Sequence, residues 1–147
     1  MWRADREVSK VSVGEILVAR SNTAELVGRV AEYRGQADGV VASDLLIRLR
    51  CREPLETNYA ARFLSHLYLT GFWRERASGA SGTMKKITRS HLATLRIPLP
   101  PLEAQRAIGR RLEAEFSASR ALRDSIHGKL SELEKLPAAL LRTAFCL

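Results

Sequence analysis

Read for alternation, the first half of the chain breaks into apolar, β-branched-rich segments at Glu15–Ala19, Leu26–Tyr33 and Val40–Arg50. Turn-forming stretches separate them, Arg20-Ser21-Asn22-Thr23 and Arg34-Gly35-Gln36-Ala37-Asp38-Gly39, and Val13-Gly14 and Asp38-Gly39 punctuate the starts of the first and last. The alternation from Leu45 to Leu49 is imperfect. It reads as a strand with one buried face and a basic edge at Arg48, Arg50 and Arg52, a pattern that more often protects a sheet edge than reads a ligand. From Glu56 the period lengthens. Tyr59, Phe63, Leu64, Leu67, Tyr68 and Phe72 fall at helical spacing and predict one amphipathic helix packed on the sheet, its aromatics in the core. Thr57 or Asn58 is the expected N-cap. Gly71 ends the helix, and Phe72–Ala77 adds a short second turn. Ser78–Lys86 is small and flexible, then doubly basic. His91–Ile97 reads as a helical turn followed by a last strand.

A proline-stiffened strap comes next, Ile97-Pro98-Leu99-Pro100-Pro101. Proline fixes φ and holds the preceding residue extended, so the strap is a rigid connector. Pro101 suits a first helical position, where a missing N–H costs nothing, and Glu103 complements the helix dipole. Beyond it, positions 112, 116, 119, 123, 126, 130, 133, 137, 140 and 144 step by four and three without a break. They carry Leu112, Phe116, Ile126, Leu130, Leu133 and Leu140, with Leu122 covering the weak place at Arg123. That spacing predicts a coiled-coil-like helix from Leu102 to Leu136, which Pro137 breaks or kinks. A one-sided seam on so long a helix needs a partner helix. The chain therefore divides into a globular part at 1–97, the strap at 98–101 and a helix at 102–147. The fold class is α+β, an incomplete mixed β-sheet with a packed helix, because nothing upstream of the first strand supplies a sheet partner.

Charge narrows the partners. The chain is 147 residues long with a net charge of +8, which favours a polyanion over a solvated face. Residues 1–101 hold 16 Lys/Arg against 10 Asp/Glu, and residues 102–147 hold 8 against 6, so the excess lies on the globular part. No apolar run approaches the ~20 residues of a membrane span, and the charged start lacks a signal-peptide core. Cys51 and Cys146 have no metal-ligand spacing, which fits a reducing compartment and excludes a structural zinc site. These features point to a cytoplasmic protein without a membrane role or a metal.

Several motifs in order resemble the specificity subunit of type I restriction–modification systems. Gly14-Glu15-Ile16-Leu17-Val18-Ala19-Arg20-Ser21-Asn22 is similar to the family's strand and turn, with Glu15 where Asp is commoner. Ala77-Ser78-Gly79-Ala80-Ser81-Gly82-Thr83 with Lys85-Lys86-Ile87 resembles its Gly/Ser loop. Leu95-Arg96-Ile97-Pro98-Leu99-Pro100-Pro101-Leu102-Glu103-Ala104-Gln105 resembles its junction, with Ala104 where Glu is usual. The resemblance implies a target recognition domain that reads part of a split DNA site. It also implies a long helix that spaces two such domains and docks methyltransferase subunits, and through them a restriction subunit. A full-length subunit has two domains and two helices, so this chain reads as a half-subunit or a truncated form. It would pair with a second copy or another specificity half. S-adenosylmethionine would belong to the methyltransferase partner, and this chain would hold no cofactor.

Candidate contacts to double-stranded DNA are Arg20, Ser21, Asn22 and Thr23, where Arg reaches phosphate or guanine and Asn reaches adenine. The opposing reading is a turn whose Asn22 and Thr23 bond only their own backbone, and the two stand level. Lys85, Lys86 and Arg89 form a phosphate clamp that Gly79 and Gly82 let DNA approach. His66, His91 and His127 are scattered and read as ordinary packing or surface residues. The seam residues Leu112, Phe116, Leu122, Ile126, Leu130, Leu133 and Leu140 carry dimerisation. No Asp/Glu-x-Lys, Pro-Pro-Tyr or GxxxxGK[ST] motif occurs, so no catalytic residue is expected. The alternatives are a remnant that only associates through its helix, and a small DNA-acting enzyme.

Overall fold

A computed structural model describes residues 10–35, 37–79 and 84–145. In chain order the elements are β1 (Ile16–Ala19), β2 (Ser21–Asn22), β3 (Val30–Glu32), β4 (Leu46–Leu49), α1 (Thr57–Leu69), α2 (Phe72–Arg76), β5 (Lys85–Lys86), α3 (Arg89–Ala93) and α4 (Leu102–Phe145). The fold is α+β, and the chain forms two compact units, Met1–Gly109 and Arg110–Leu147. One sheet has the order β3-β1-β4, and β2 pairs with β5 in a second. All of these pairings are antiparallel, where a mixed sheet was expected. The strands are joined by short connections, which antiparallel pairing permits.

β1 takes the centre because its alternation buries Ile16 and Val18 completely. The register sets Ile16 opposite Leu49 and Val18 opposite Ile47, so these side chains share one face. Ala60, Ala61 and Leu64 of α1 complete the same core with Val27, Trp73 and Ile87. Gly28 has φ of +80°, and a Cβ there would lie 2.2 Å from the Trp73 indole. Only glycine supplies both that backbone and that space.

Several elements differ from expectation. The Leu26–Tyr33 segment shrinks to β3 because Leu26 and Val27 donate their N–H groups to Thr23 O and close a turn. The Val40–Arg50 segment shrinks to β4 because Leu46 N–H bonds to Ser43 O just before it. The N-cap of α1 is Glu56, not Thr57 or Asn58: its carboxylate accepts from Tyr59 N–H at 2.7 Å. No strand follows α3. Leu95 N–H bonds back to Leu92 O, and the prolines at 98, 100 and 101 then have no N–H to offer a ladder. Pro101 stands just before Leu102, its carbonyl accepting from Gln105 N–H at 3.1 Å, so it caps the helix rather than opening it. Pro137 does not break α4, which runs through it to Phe145. The ring removes only the bond to the residue 133 carbonyl, and strong helix formers follow it, Ala138, Ala139, Leu140 and Leu141.

Glu15 lies just before β1 and is 2% exposed. Arg48 holds it in a bidentate pair at 2.8 and 2.9 Å, and Arg50 Nε donates to it at 2.5 Å. Arg48 and Arg50 thus brace the sheet through a buried carboxylate, a role the edge reading did not include. Burial pushes the Glu15 carboxyl up, but the hydrogen bonds from Arg50, Arg48 and Ser12 N–H outweigh it and hold the group below the ordinary carboxylate range. A carboxylate depressed on folding contributes stability above its unfolded pKa, and that stability is lost as pH falls through the folded value. Urea unfolding across the acid limb should show this loss in the wild type. Glu15→Gln should flatten the limb and lower stability at neutral pH by about 2 kcal/mol, less than a fully buried pair because Arg50 is exposed. An unchanged limb in the variant would contradict the assignment.

Candidate nucleic-acid interface

The structure brings two separate sequence candidates into one ladder. β2 and β5 pair with Ser21 opposite Lys86 and Asn22 opposite Lys85, so the Arg20–Thr23 turn is in part a strand. On its other side Lys86 exchanges both main-chain bonds with Ser78, at 3.0 and 2.8 Å. Lys85 and Lys86 thus sit on backbone fixed along both edges. Fully buried Ile87 anchors the next position, its N–H donating to Arg20 O at 2.9 Å. The carbonyl of Arg20 and the amide of Ile87 hold Arg20 beside the two lysines.

Gly79 opens the hairpin tip with φ of +155°, and a Cβ there would meet the Met84 carbonyl at 2.4 Å. Gly82 and the rest of the Gly/Ser loop at 80–83 lie outside the described residues. Arg89 opens α3, capped by Thr88, whose Oγ1 accepts from His91 N–H at 3.3 Å. His91 Nδ1 in turn accepts from Thr88 N–H, so it serves the cap. His66 and His127 are exposed, and no His, Cys, Asp or Glu group among the described residues could hold a metal.

The candidates separate by accessibility. Arg20, Lys86 and Arg89 are exposed and Lys85 is half-buried. None of these four has an ion pair with a carboxylate among the described residues. Ser21 is buried, and its hydroxyl donates to Met84 Sδ at 3.2 Å, which spends it on packing. Asn22 Oδ1 accepts from Thr23 N–H at 2.9 Å, the self-bonded turn, which leaves its amide NH₂ as its remaining donor. The arrangement presents uncompensated cations on rigid backbone, which suits phosphate oxygens more than base edges.

Sequence reasoning gave Gln105 no role beyond its place in the junction motif. Gln105 is fully buried. Its Oε1 accepts from Glu56 N–H at 2.9 Å, and its Nε2 donates to Pro54 O and Pro100 O, both at 2.9 Å. Tyr59 OH donates to Pro98 O at 3.0 Å. Gly109, also buried, packs beside the Asn58 side chain, which a Cβ there would meet in ordinary contact at 3.4 Å. These bonds fasten the strap and the first turns of α4 to the start of α1. A polar Gln on the inward side of a helix start was the available signal.

In the second unit Leu112 is half-buried, while Phe116, Leu122, Ile126, Leu130, Leu133 and Leu140 are exposed, as are Leu136 and Leu141. Their spacing places Leu122, Ile126, Leu130, Leu133 and Leu140 on one helical face. No helix among the described residues is long and apolar enough to cross a membrane.

Residues 10–134 match the model of the type I restriction modification DNA specificity domain. The chain is 31% identical over 147 residues to the type I restriction enzyme StySPI specificity subunit of Salmonella potsdam, covering 95% of this chain and 31% of that protein. It is 26% identical over 110 residues to the EcoDI specificity subunit of Escherichia coli, covering 74% of this chain and 23% of that one. The chain thus spans a third or less of the length of these relatives. With a family domain running through most of its length, the chain belongs to the type I restriction modification DNA specificity domain family.

Proposed function

We propose that this chain is a non-catalytic DNA-reading and scaffold component of a type I restriction–modification complex. One observation carries the DNA part: the ladder that sets Lys85 and Lys86 beside Arg20, all without a carboxylate partner among the described residues. Arg20, Lys85, Lys86 and Arg89 would grip phosphates of one half-site, and the Asn22 amide would reach towards a base. The residues hold no metal cluster among those described, and the chemistry of methyl transfer, with its S-adenosylmethionine, would belong to a partner methyltransferase in the cytoplasm.

The exposed apolar face of α4 supports the scaffold part. Two copies, or this chain and another specificity half, would bury that face antiparallel and set two recognition units at a fixed spacing. The paired helices would also dock methyltransferase subunits and, through them, a restriction subunit. Exposed leucines at this density are costly to leave in water, since each buried side chain contributes about 1.5–3 kcal/mol. Sedimentation at tens of micromolar should therefore show a dimer. Ile126→Asp with Leu133→Asp should return it to monomer without altering the fold of the first unit. A wild-type monomer at those concentrations would overturn the pairing and leave DNA binding as the surviving claim. A duplex of mixed sequence should bind at low salt, and a folded chain that ignores duplex would overturn the DNA part.

A further inference from the structure

An apolar groove of about 500 Å³ opens between β4, α1 and α3, and neither the sequence reading nor the DNA surface uses it. Leu49, Leu55, Leu92 and Leu95 line it, and Cys51 lies in its wall. These five side chains pack against the core while staying only partly buried, so the apolar surface of the core continues into the groove. Its volume falls in the range of small-molecule sites, about 300–1,000 Å³. Such sites join an apolar lining to a few polar groups that fix the ligand's orientation.

Here the polar groups are arginines. Four border the groove, Arg48, Arg50, Arg52 and Arg89, and no acidic side chain lines it among the described residues. Two are committed elsewhere, since Arg48 and Arg50 hold the Glu15 carboxylate. Arg52 and Arg89 are exposed and have no ion pair with a carboxylate among the described residues. Their backbone is nevertheless fixed. The Arg52 carbonyl accepts from Leu55 N–H at 2.9 Å, and Arg89 opens α3 directly after the Thr88 cap. An arginine fork matches a carboxylate through two parallel bonds. A purely apolar ligand would leave both cations uncompensated, and a purely ionic one would leave the leucines in water. A molecule with both parts satisfies both. We propose that the groove binds a small amphipathic anion, its aliphatic chain against Leu49, Leu55, Leu92 and Leu95 and its carboxylate facing Arg52 and Arg89.

Cys51 supplies the readout. In the full chain carrying Cys146→Ser, Cys51 is the remaining thiol, and a neutral disulfide reagent reports access to the groove wall. The measurement uses no DNA, so its outcome is independent of the DNA surface that Arg89 also serves. Decanoate, kept below its micelle concentration, should slow the Cys51 reaction saturably. Octanoate should need about tenfold more, because each methylene taken from water is worth about fourfold in affinity. Decyltrimethylammonium, the same chain with a cationic head, should protect at least about tenfold less well than decanoate. Arg52→Gln with Arg89→Gln should raise the decanoate requirement about tenfold and erase most of the preference between the two heads. Thermal melts by circular dichroism establish that both proteins are folded. No protection by decanoate, equal protection by the two heads, or a folded double variant that decanoate protects as well as its parent would each overturn the proposal. Slow labelling without ligand that speeds on dilution would also overturn it and assign the groove to a second copy.

Discussion

Gly28→Ala is expected to destabilise the first unit by about 4–7 kcal/mol, comparable to the entire stability of a small domain. Two independent effects add. At φ of +80° an alanine Cβ crowds its own backbone, at about 1–2 kcal/mol. The same Cβ would sit 2.2 Å from the Trp73 ring, which is 1% exposed and packed in the core. Nothing at the far end of a flexible side chain can yield, because the approaching atoms include Trp73 Cβ itself. The indole must leave its site, and expelling a buried Trp costs about 3–5 kcal/mol. Urea unfolding followed by circular dichroism checks the value. A loss under ~1 kcal/mol, within the range of ordinary surface changes, would show that the glycine is not required.

Gln105→Ala is expected to cost about 3–5 kcal/mol, from buried groups left unpaired rather than from lost contacts. The variant strands the Glu56 N–H and the carbonyls of Pro54 and Pro100, each now bonded to Gln105 at 2.9 Å. Water can replace only those it can reach, and Gln105 itself is fully buried. Because Glu56 also caps α1 through its bond to Tyr59 N–H, the loss should spread into that helix. Hydrogen exchange should quicken at Glu56 and Tyr59 before it quickens in β1. Uniform exchange across the unit would contradict a local fastening role.

The helices were more legible than the sheet. The 3.6-residue period of α1 and the seam of α4 are repeated many times along the sequence, so each residue reinforces the next. β2 and β5 are two residues each, too short to show alternation, and Lys86 of β5 also pairs with Ser78. The pairing of β2 with β5 itself joins Ser21 to Lys86, residues far apart in the chain, which no local pattern records. The same limit applies within the site. The sequence marked Arg20, Lys85, Lys86 and Arg89 as cations near turns and offered the turn in which Asn22 bonds its own loop, but only a tertiary contact put Ser21 behind Met84. Glu56 took the cap from Thr57 because Gln105, 49 residues on, holds its N–H. Pro137 misled for a different reason. A proline removes one bond from a helix, and a long run of strong helix formers on both sides outweighs that loss.

The central claim is that the paired lysines of β5 grip DNA phosphates, and the salt dependence of duplex binding tests it most directly. Each neutralised phosphate contributes about 0.9 to the slope of log affinity against log salt concentration. Fluorescence anisotropy on one duplex, across a salt series, should give a steep slope for the wild type. Lys85→Ala with Lys86→Ala should make it shallower by about 1.8 while the protein remains folded. A folded double variant with the wild-type slope would contradict the account.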